Sequence, residues 1–149
     1  MRRLRKFFGL PWRDKLMLAE AVVTTSVAST ALLLLPFRWI APWLGRHMQV
    51  SSESQTADAE RTAHQVRAAI RVASRYVCWK PQCLAQAIAA TTMLRLRRIE
   101  GTVYLGMAKD GESELTAHAW LRSGTIIVTG SQGYQGQSVV STFAFPRKS

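Results

Sequence analysis

Pro11 and Pro36 bracket a stretch whose second half, Ala21 to Leu35, carries no charge. Proline fits a helix's first turn and stops a helix later, so the bracket predicts one helix of about two dozen residues. Gln49 to Thr56 is polar and aperiodic and reads as a linker. From Asp58 onward Ala63, Val66, Ala69, Ile70, Ala73, Tyr76 and Val77 recur at helical spacing. Arg61, Arg67, Arg71 and Arg75 fall mostly between them and read as the solvated face of a second helix. Pro81 breaks the chain, and Gln82 to Leu96 predicts a third helix buried along Leu84, Ala87, Ile88, Thr91 and Leu94. After Gly101 the period changes to two. Val103 to Met107 reads as a strand, Asp110-Gly111 as a hairpin turn, and Leu115 to Leu121 as the returning strand. Thr125 to Val128 and Val139 to Phe143 predict two more strands, separated by a loop rich in Gly and Gln.

Helices followed by an antiparallel meander argue an α+β domain, with the third helix packed on the sheet. The expected organisation is an N-terminal helical region over residues 1–48, a linker over 49–57 and a catalytic domain over 58–149. The basic head Arg2, Arg3, Arg5 and Lys6 ahead of the apolar run suggests a signal peptide or a membrane span. Both readings are strained. The run is diluted by Thr24, Thr25, Ser26, Ser29 and Thr30, and no clear A-x-A cleavage site follows it. It also lies at the short end of the roughly 17–25 residues a span requires. A helix that docks on a partner or on the membrane surface is the expectation, in a cytoplasmic protein that associates with the membrane through it.

Charge narrows the partners. The 149 residues hold 20 Lys and Arg against 9 Asp and Glu, a formal charge of +11 that attracts an acidic peptide, an anionic membrane or nucleic acid. No aromatic-interleaved basic motif, zinc finger or helix-turn-helix is present, so nucleic acid is not expected. Cys78 and Cys83 match neither a metal pair nor a disulfide framework, and His47, His64 and His118 are scattered. No metal and no cofactor is expected.

The chemistry centres on Cys83. A helix N-terminus stabilises a thiolate through its unsatisfied N–H groups and dipole, and Cys83 falls in the first turn of the third helix. A buried structural cysteine is the other reading of a lone cysteine in an apolar helix, and a place in the first turn rather than mid-helix weighs against it. The Cys83 N–H and the Gln82 side chain suit an oxyanion. In Thr116-Ala117-His118-Ala119-Trp120-Leu121, alternation puts Thr116, His118 and Trp120 on one face of a strand. A sheet packed against the Cys83 helix then brings the imidazole beside the helix start, as nucleophile activation requires. Cys78, in irregular chain outside any helix dipole, is the lesser candidate.

Several of these segments resemble one family. Cys83-Leu84-Ala85-Gln86-Ala87, the basic helix end Arg95-Leu96-Arg97-Arg98-Ile99-Glu100-Gly101, Leu105-Gly106 and His118-Ala119-Trp120 resemble the transglutaminase-like leader peptidase of lasso-peptide biosynthesis. Leu10-Pro11-Trp12-Arg13-Asp14-Lys15 and Leu35-Pro36-Phe37-Arg38 resemble that family's N-terminal region. The resemblance implies a transglutaminase-like, papain-like core. It implies a cysteine peptidase that cuts the leader from a ribosomally made precursor peptide, so that a separate ATP-dependent cyclase can close the ring. A chain of this length resembles the stand-alone form, which works with a separate leader-recognition protein. Trp79 and Trp120 stand as candidate substrate contacts. The family's third catalytic residue is an aspartate on the strand after His-Ala-Trp, yet no Asp or Glu follows His118 here. The place falls near Thr129, with Ser131 and Gln132 close by, and the chain contains no Asn. Thr129 is the candidate orienter of a Cys-His dyad, although an upstream Asp110, Glu112 or Glu114 would also serve if it folded in. Otherwise the member is impaired and acts as a basic peptide-binding or membrane-docking component. Acyl transfer to an amine, through the same thioester, is a further alternative.

The dipole argument predicts that Cys83→Ala abolishes turnover with the fold intact, since Ala is the best helix former, whereas Cys78→Ser is milder. Labelling of the two variants with a thiol-reactive probe, followed by peptide mapping, checks the assignment; a reversed result moves the nucleophile into the loop.

Overall fold

A computed structural model describes residue 6, residues 8–77 and residues 82–146, apart from the side chain of Asp110. Among the described residues the helices are α1 (Trp12–Leu34), α2 (Phe37–Leu44), α3 (Ala57–Tyr76) and α4 (Cys83–Leu96). The strands are β1 (Arg46–His47), β2 (Gly101–Asp110), β3 (Glu114–Ser123), β4 (Ile126–Thr129) and β5 (Ser138–Phe145). They form one antiparallel sheet in the order β1-β5-β2-β3-β4.

The proline bracket works as its geometry requires: Pro11 caps α1, and the helix stops at Leu34, before the residue that Pro36 forces into extended conformation. Pro36 then caps α2, a short helix not separated from α1 by the periodicity, which sets Ile40 and Leu44 into the core. Arg95, at the end of α4, places its guanidinium 5.3 Å from the Trp43 and Phe145 ring centres and donates to the Trp43 carbonyl. Thr56 caps α3 by accepting from the Ala59 N–H. α1 lies along α3 and α4 through Ala21, Thr25, Ala28 and Ser29, whose small side chains let the helices approach closely. Its other side leaves Val23, Val27, Leu33 and Leu34 exposed, and by length and composition α1 would suffice to cross a membrane.

α4 is the centre of the domain. It touches α1 and α3 on one side and β2, β3 and β4 on the other. Ala85, Ala87, Ile88, Ala89, Ala90, Thr91, Met93 and Leu94 are all buried. The single buried stripe expected of it is therefore a nearly complete circumference, which the run of alanines makes sterically possible. The linker has no regular structure but is fastened to the sheet: the Ser51 N–H donates to Thr102 Oγ1 at 2.7 Å and Gln55 Nε2 to Ser123 Oγ at 2.6 Å.

The expected meander holds only through β2, β3 and β4. β5 returns to the open edge of β2, where it gains seven register partners that the four-residue β4 has no length to offer. The connection, residues 130–137, must therefore cross the sheet. It does so over the face that carries His118 and Trp120: Tyr134 tilts against Trp120 at 6.0 Å, and a Cβ added at Gly106, opposite His118, would meet both Trp120 and Gln137.

α1 is also held by a forked ion pair, in which Arg97 Nη1 and Nη2 donate to Glu20 Oε1 and Oε2 at 2.7 and 2.8 Å. The hydrogen bond to Glu20 raises the guanidinium pKa against the opposing effect of burial. Both side chains are only about a quarter exposed, at 25% and 27%. Glu20→Gln is expected to lower unfolding free energy by roughly 1–2 kcal/mol, the range for a hydrogen-bonded charge that loses its partner. Urea unfolding checks this, and an unchanged midpoint would mean the pair does not hold α1.

Candidate active site

Cys83 is the first residue of α4, preceded by Gln82 in extended conformation. Among the described residues no side chain caps this end and the first turn contains no acidic residue, so the leading N–H groups suit another acceptor. The half-buried thiol meets β3 at its unpaired edge. β4 pairs with β3 only from Leu121 onward, which leaves the Ala119 N–H without a strand partner, and it donates to Cys83 Sγ at 3.4 Å. This main-chain donor ties the helix start to the histidine strand.

His118 stands next along β3, on the face of Trp120 as the alternation requires. Trp120 stacks on Tyr104, with centroids 5.4 Å apart and planes 4° apart, and on His118 at 6.0 Å and 22°. Its exposure is 5%, so this candidate substrate contact packs beneath the imidazole rather than lining the cavity described below.

The imidazole's polar partner is main chain. His118 Nε2 lies 3.0 Å from the Gly130 carbonyl oxygen. A carbonyl only accepts, so this bond places the hydrogen on Nε2 and leaves Nδ1 as the basic nitrogen of the neutral ring. Gly130 has φ 72°, and a Cβ there would stand 2.5 Å from the Ala119 carbonyl oxygen and 2.7 Å from Trp120 Cβ. Both the conformation and the close approach demand glycine.

Thr129 precedes it. It pairs with Leu121, so its side chain shares the Leu121 face rather than the His118 face. The hydroxyl is buried with no hydrogen-bond partner among the described residues. The group that orients His118 is thus the next residue's carbonyl, not the Thr129 side chain.

Cys83 and His118 open onto one cavity of about 500 Å³, lined also by Gln86 of α4, by Val128 to Gln132, and by Arg67, Ile70, Arg71, Ser74 and Arg75 of α3. No carboxylate lines it among the described residues. Glu112 and Glu114 sit exposed at the β2–β3 turn; Glu114 is four residues before His118, roughly 13 Å along a strand. The Asp110 side chain, Cys78 and Trp79 lie outside what is described. Gln82 is exposed and does not line the cavity, whereas Gln86, one turn further on, does.

The model of the transglutaminase-like superfamily matches residues 31–142. This chain belongs to the transglutaminase-like superfamily. No curated protein and no solved structure matches it. A helix-borne cysteine against a histidine strand in a transglutaminase-like domain is consistent with cysteine peptidase or acyltransferase chemistry. One feature of this transglutaminase-like chain, the Gly130 carbonyl, was legible only as a glycine ending a strand. The solvated face expected of the arginines holds for the exposed Arg61, Arg71 and Arg75, while Arg67 is half-buried; that Arg67, Arg71 and Arg75, at a strict four-residue spacing, also line the cavity was not read from the pattern.

The main-chain orienter predicts opposite fates for two neighbours. Gly130→Ala is expected to slow alkylation of Cys83 by iodoacetamide at neutral pH on the order of tenfold or more, through the displaced imidazole. Thr129→Val is expected to leave that rate within about twofold and stability unchanged or higher, since replacing an unpaired buried hydroxyl by a methyl is not penalised. The reverse order of rates would return the orienting role to Thr129.

Proposed function

We propose that this chain is a cysteine peptidase that removes the leader from a ribosomally made lasso-peptide precursor. The supporting observation is the convergence on one cavity of the Cys83 thiol, the uncapped first turn of α4 and a histidine fixed through Nε2. Cys83 Sγ attacks the carbonyl carbon of the last leader residue, and its proton passes by way of His118 to the leaving amine. The core peptide departs with a free N-terminus, and the leader remains as a thioester. The same imidazole then takes a proton from water, whose oxygen attacks the thioester carbon and returns the thiol. N–H groups of the first turn, that of Cys83 among them, suit the oxyanion in both steps. The freed amine is what a separate ATP-dependent cyclase consumes in closing the ring.

A carbonyl orients the imidazole as an aspartate would but lacks its full charge, so imidazolium is stabilised less. Slow turnover by the isolated chain follows from this arrangement; that a separate leader-recognition protein raises it is the expectation carried by the family resemblance. The exposed apolar side of α1 is a surface that such a protein, or the cytoplasmic face of a membrane, would cover.

Mass spectrometry of candidate precursor peptides, incubated with this chain with and without the recognition protein in water labelled with heavy oxygen, tests the reading. Expected is cleavage at one bond, faster with the partner, with one heavy oxygen in the new leader carboxylate and none formed by Cys83→Ala. Leader joined to an added amine would mean acyl transfer instead. Intact peptides under every condition would leave a binding role.

A further inference from the structure

Three of the side chains around Cys83 are arginines on successive turns of one helix. The half-buried Arg67 and the exposed Arg71 and Arg75 line the cavity together with Cys83 and His118. The ion pairs among the described residues are Arg61 with Asp58 and Arg97 with Glu20, so none of the three is neutralised. Like charges four residues apart on a helix repel each other. Arg75, in the last turn of α3, suits the negative end of the helix dipole, but Arg71 and Arg67 lie one and two turns further from it and have no such use. A row of uncompensated guanidinium groups beside a nucleophile fits an anionic ligand, and each group can grip a carboxylate through two parallel hydrogen bonds.

The spacing is informative as well. Four residues of helix rise about 6 Å, and two residues of extended peptide advance roughly 6.6–6.8 Å. Neighbouring arginines therefore match side chains at alternate positions of an extended peptide. We propose that Arg67, Arg71 and Arg75 form a specificity subsite that selects substrates carrying Asp or Glu at alternate positions near the bond cut by Cys83. The proposal deepens the peptidase reading of the same cavity and rests on it.

The test uses binding without turnover. In the full chain carrying Cys83→Ala, fluorescence anisotropy is measured with a labelled Ser/Gly decapeptide holding two Glu residues two positions apart, and with its Gln counterpart. The Glu peptide is expected to bind about tenfold tighter or more, as for loss of one charged hydrogen-bonded contact. Adding Arg67→Gln, Arg71→Gln and Arg75→Gln together should erase the preference. Adding Arg13→Gln, Arg38→Gln and Arg46→Gln, three exposed arginines outside the cavity lining, removes the same charge and should keep it. Equal loss in the two triple variants, or a preference that survives the cavity triple, overturns the subsite. So does a single-stranded oligothymidylate that binds tighter than the Glu peptide with the same dependence on the three cavity arginines. If the cavity triple loses its helical circular dichroism, Arg71→Glu takes its place. That variant should prefer a Lys peptide over the Glu peptide, and unchanged preference for Glu overturns the subsite. Precursor peptides left uncut while the Glu preference stands would remove the peptidase reading alone. Cleavage indifferent to the cavity arginines would remove the subsite alone.

Discussion

The domain depends on a helix that is buried almost all the way round. α4 runs between α1 and α3 on one side and the sheet on the other, and only side chains as small as those of Ala85, Ala87, Ala89 and Ala90 let so many elements approach it at once. Close packing of this kind leaves little freedom to slide or rotate. The helix start is thereby fixed against the sheet, and Cys83 with it. The 3.4 Å contact between Cys83 Sγ and the Ala119 N–H is the local expression of that constraint. A reactive group on a rigid element holds its geometry better than one on a loop.

The histidine is fixed from the other direction, by a loop that has to cross the sheet. Because β5 pairs with β2 and not with β4, the chain leaving β4 passes over the Trp120 face, and glycine at 130 lets its main chain lie directly on Ala119 and Trp120. The carbonyl that reaches His118 Nε2 is a product of this crossing. A feature of topology thus supplies what a carboxylate side chain would otherwise supply, at the level of tautomer and orientation though not of charge. The aromatic group Tyr104, Trp120 and Tyr134 fills the space beneath the crossing, which keeps the imidazole from swinging away from the cavity.

Much of this was legible in the chain because local rules and tertiary packing agree. The prolines at 11 and 36, the apolar spacing from Ala63 to Ala73, and the Asp110-Gly111 turn delimit α1, α3 and the β2–β3 hairpin within a few residues. The parity of His118 and Trp120 followed from alternation alone. What was not legible depends on non-local pairing. Nothing within Val139 to Phe143 says which strand it joins, so a meander was the economical reading, and the two-residue β1 is defined only by its partner Phe143-Ala144. Thr129 was singled out by counting along the chain. Register then turned its side chain to the opposite face and gave the contact to a main-chain oxygen, a group that every residue carries and that no residue type signals.

The arginines show why periodicity alone underdetermines function. On α3 the positions between Ala63, Val66, Ala69, Ile70 and Ala73 are necessarily turned from the core, and a charged side chain there satisfies the pattern whatever it faces. Facing solvent, such a residue is screened over about 8 Å at physiological ionic strength and has little effect on its surroundings. Facing a concave wall of low-dielectric protein, the same residue has its field focused into the cavity, and the effect grows with each unpaired like charge beside it. Arg61 with Asp58 belongs to the first case; the half-buried Arg67 belongs to the second, and Arg71 and Arg75 stand between the two, exposed to solvent yet lining the cavity that Cys83 and His118 share. The distinction lies in how α3 is turned against β4 and α4, which is set by the buried side of the helix and not by the arginines themselves. The apolar spacing that packs α3 therefore also aims its charge, so the residues that build the core determine what chemistry the open side of the helix meets.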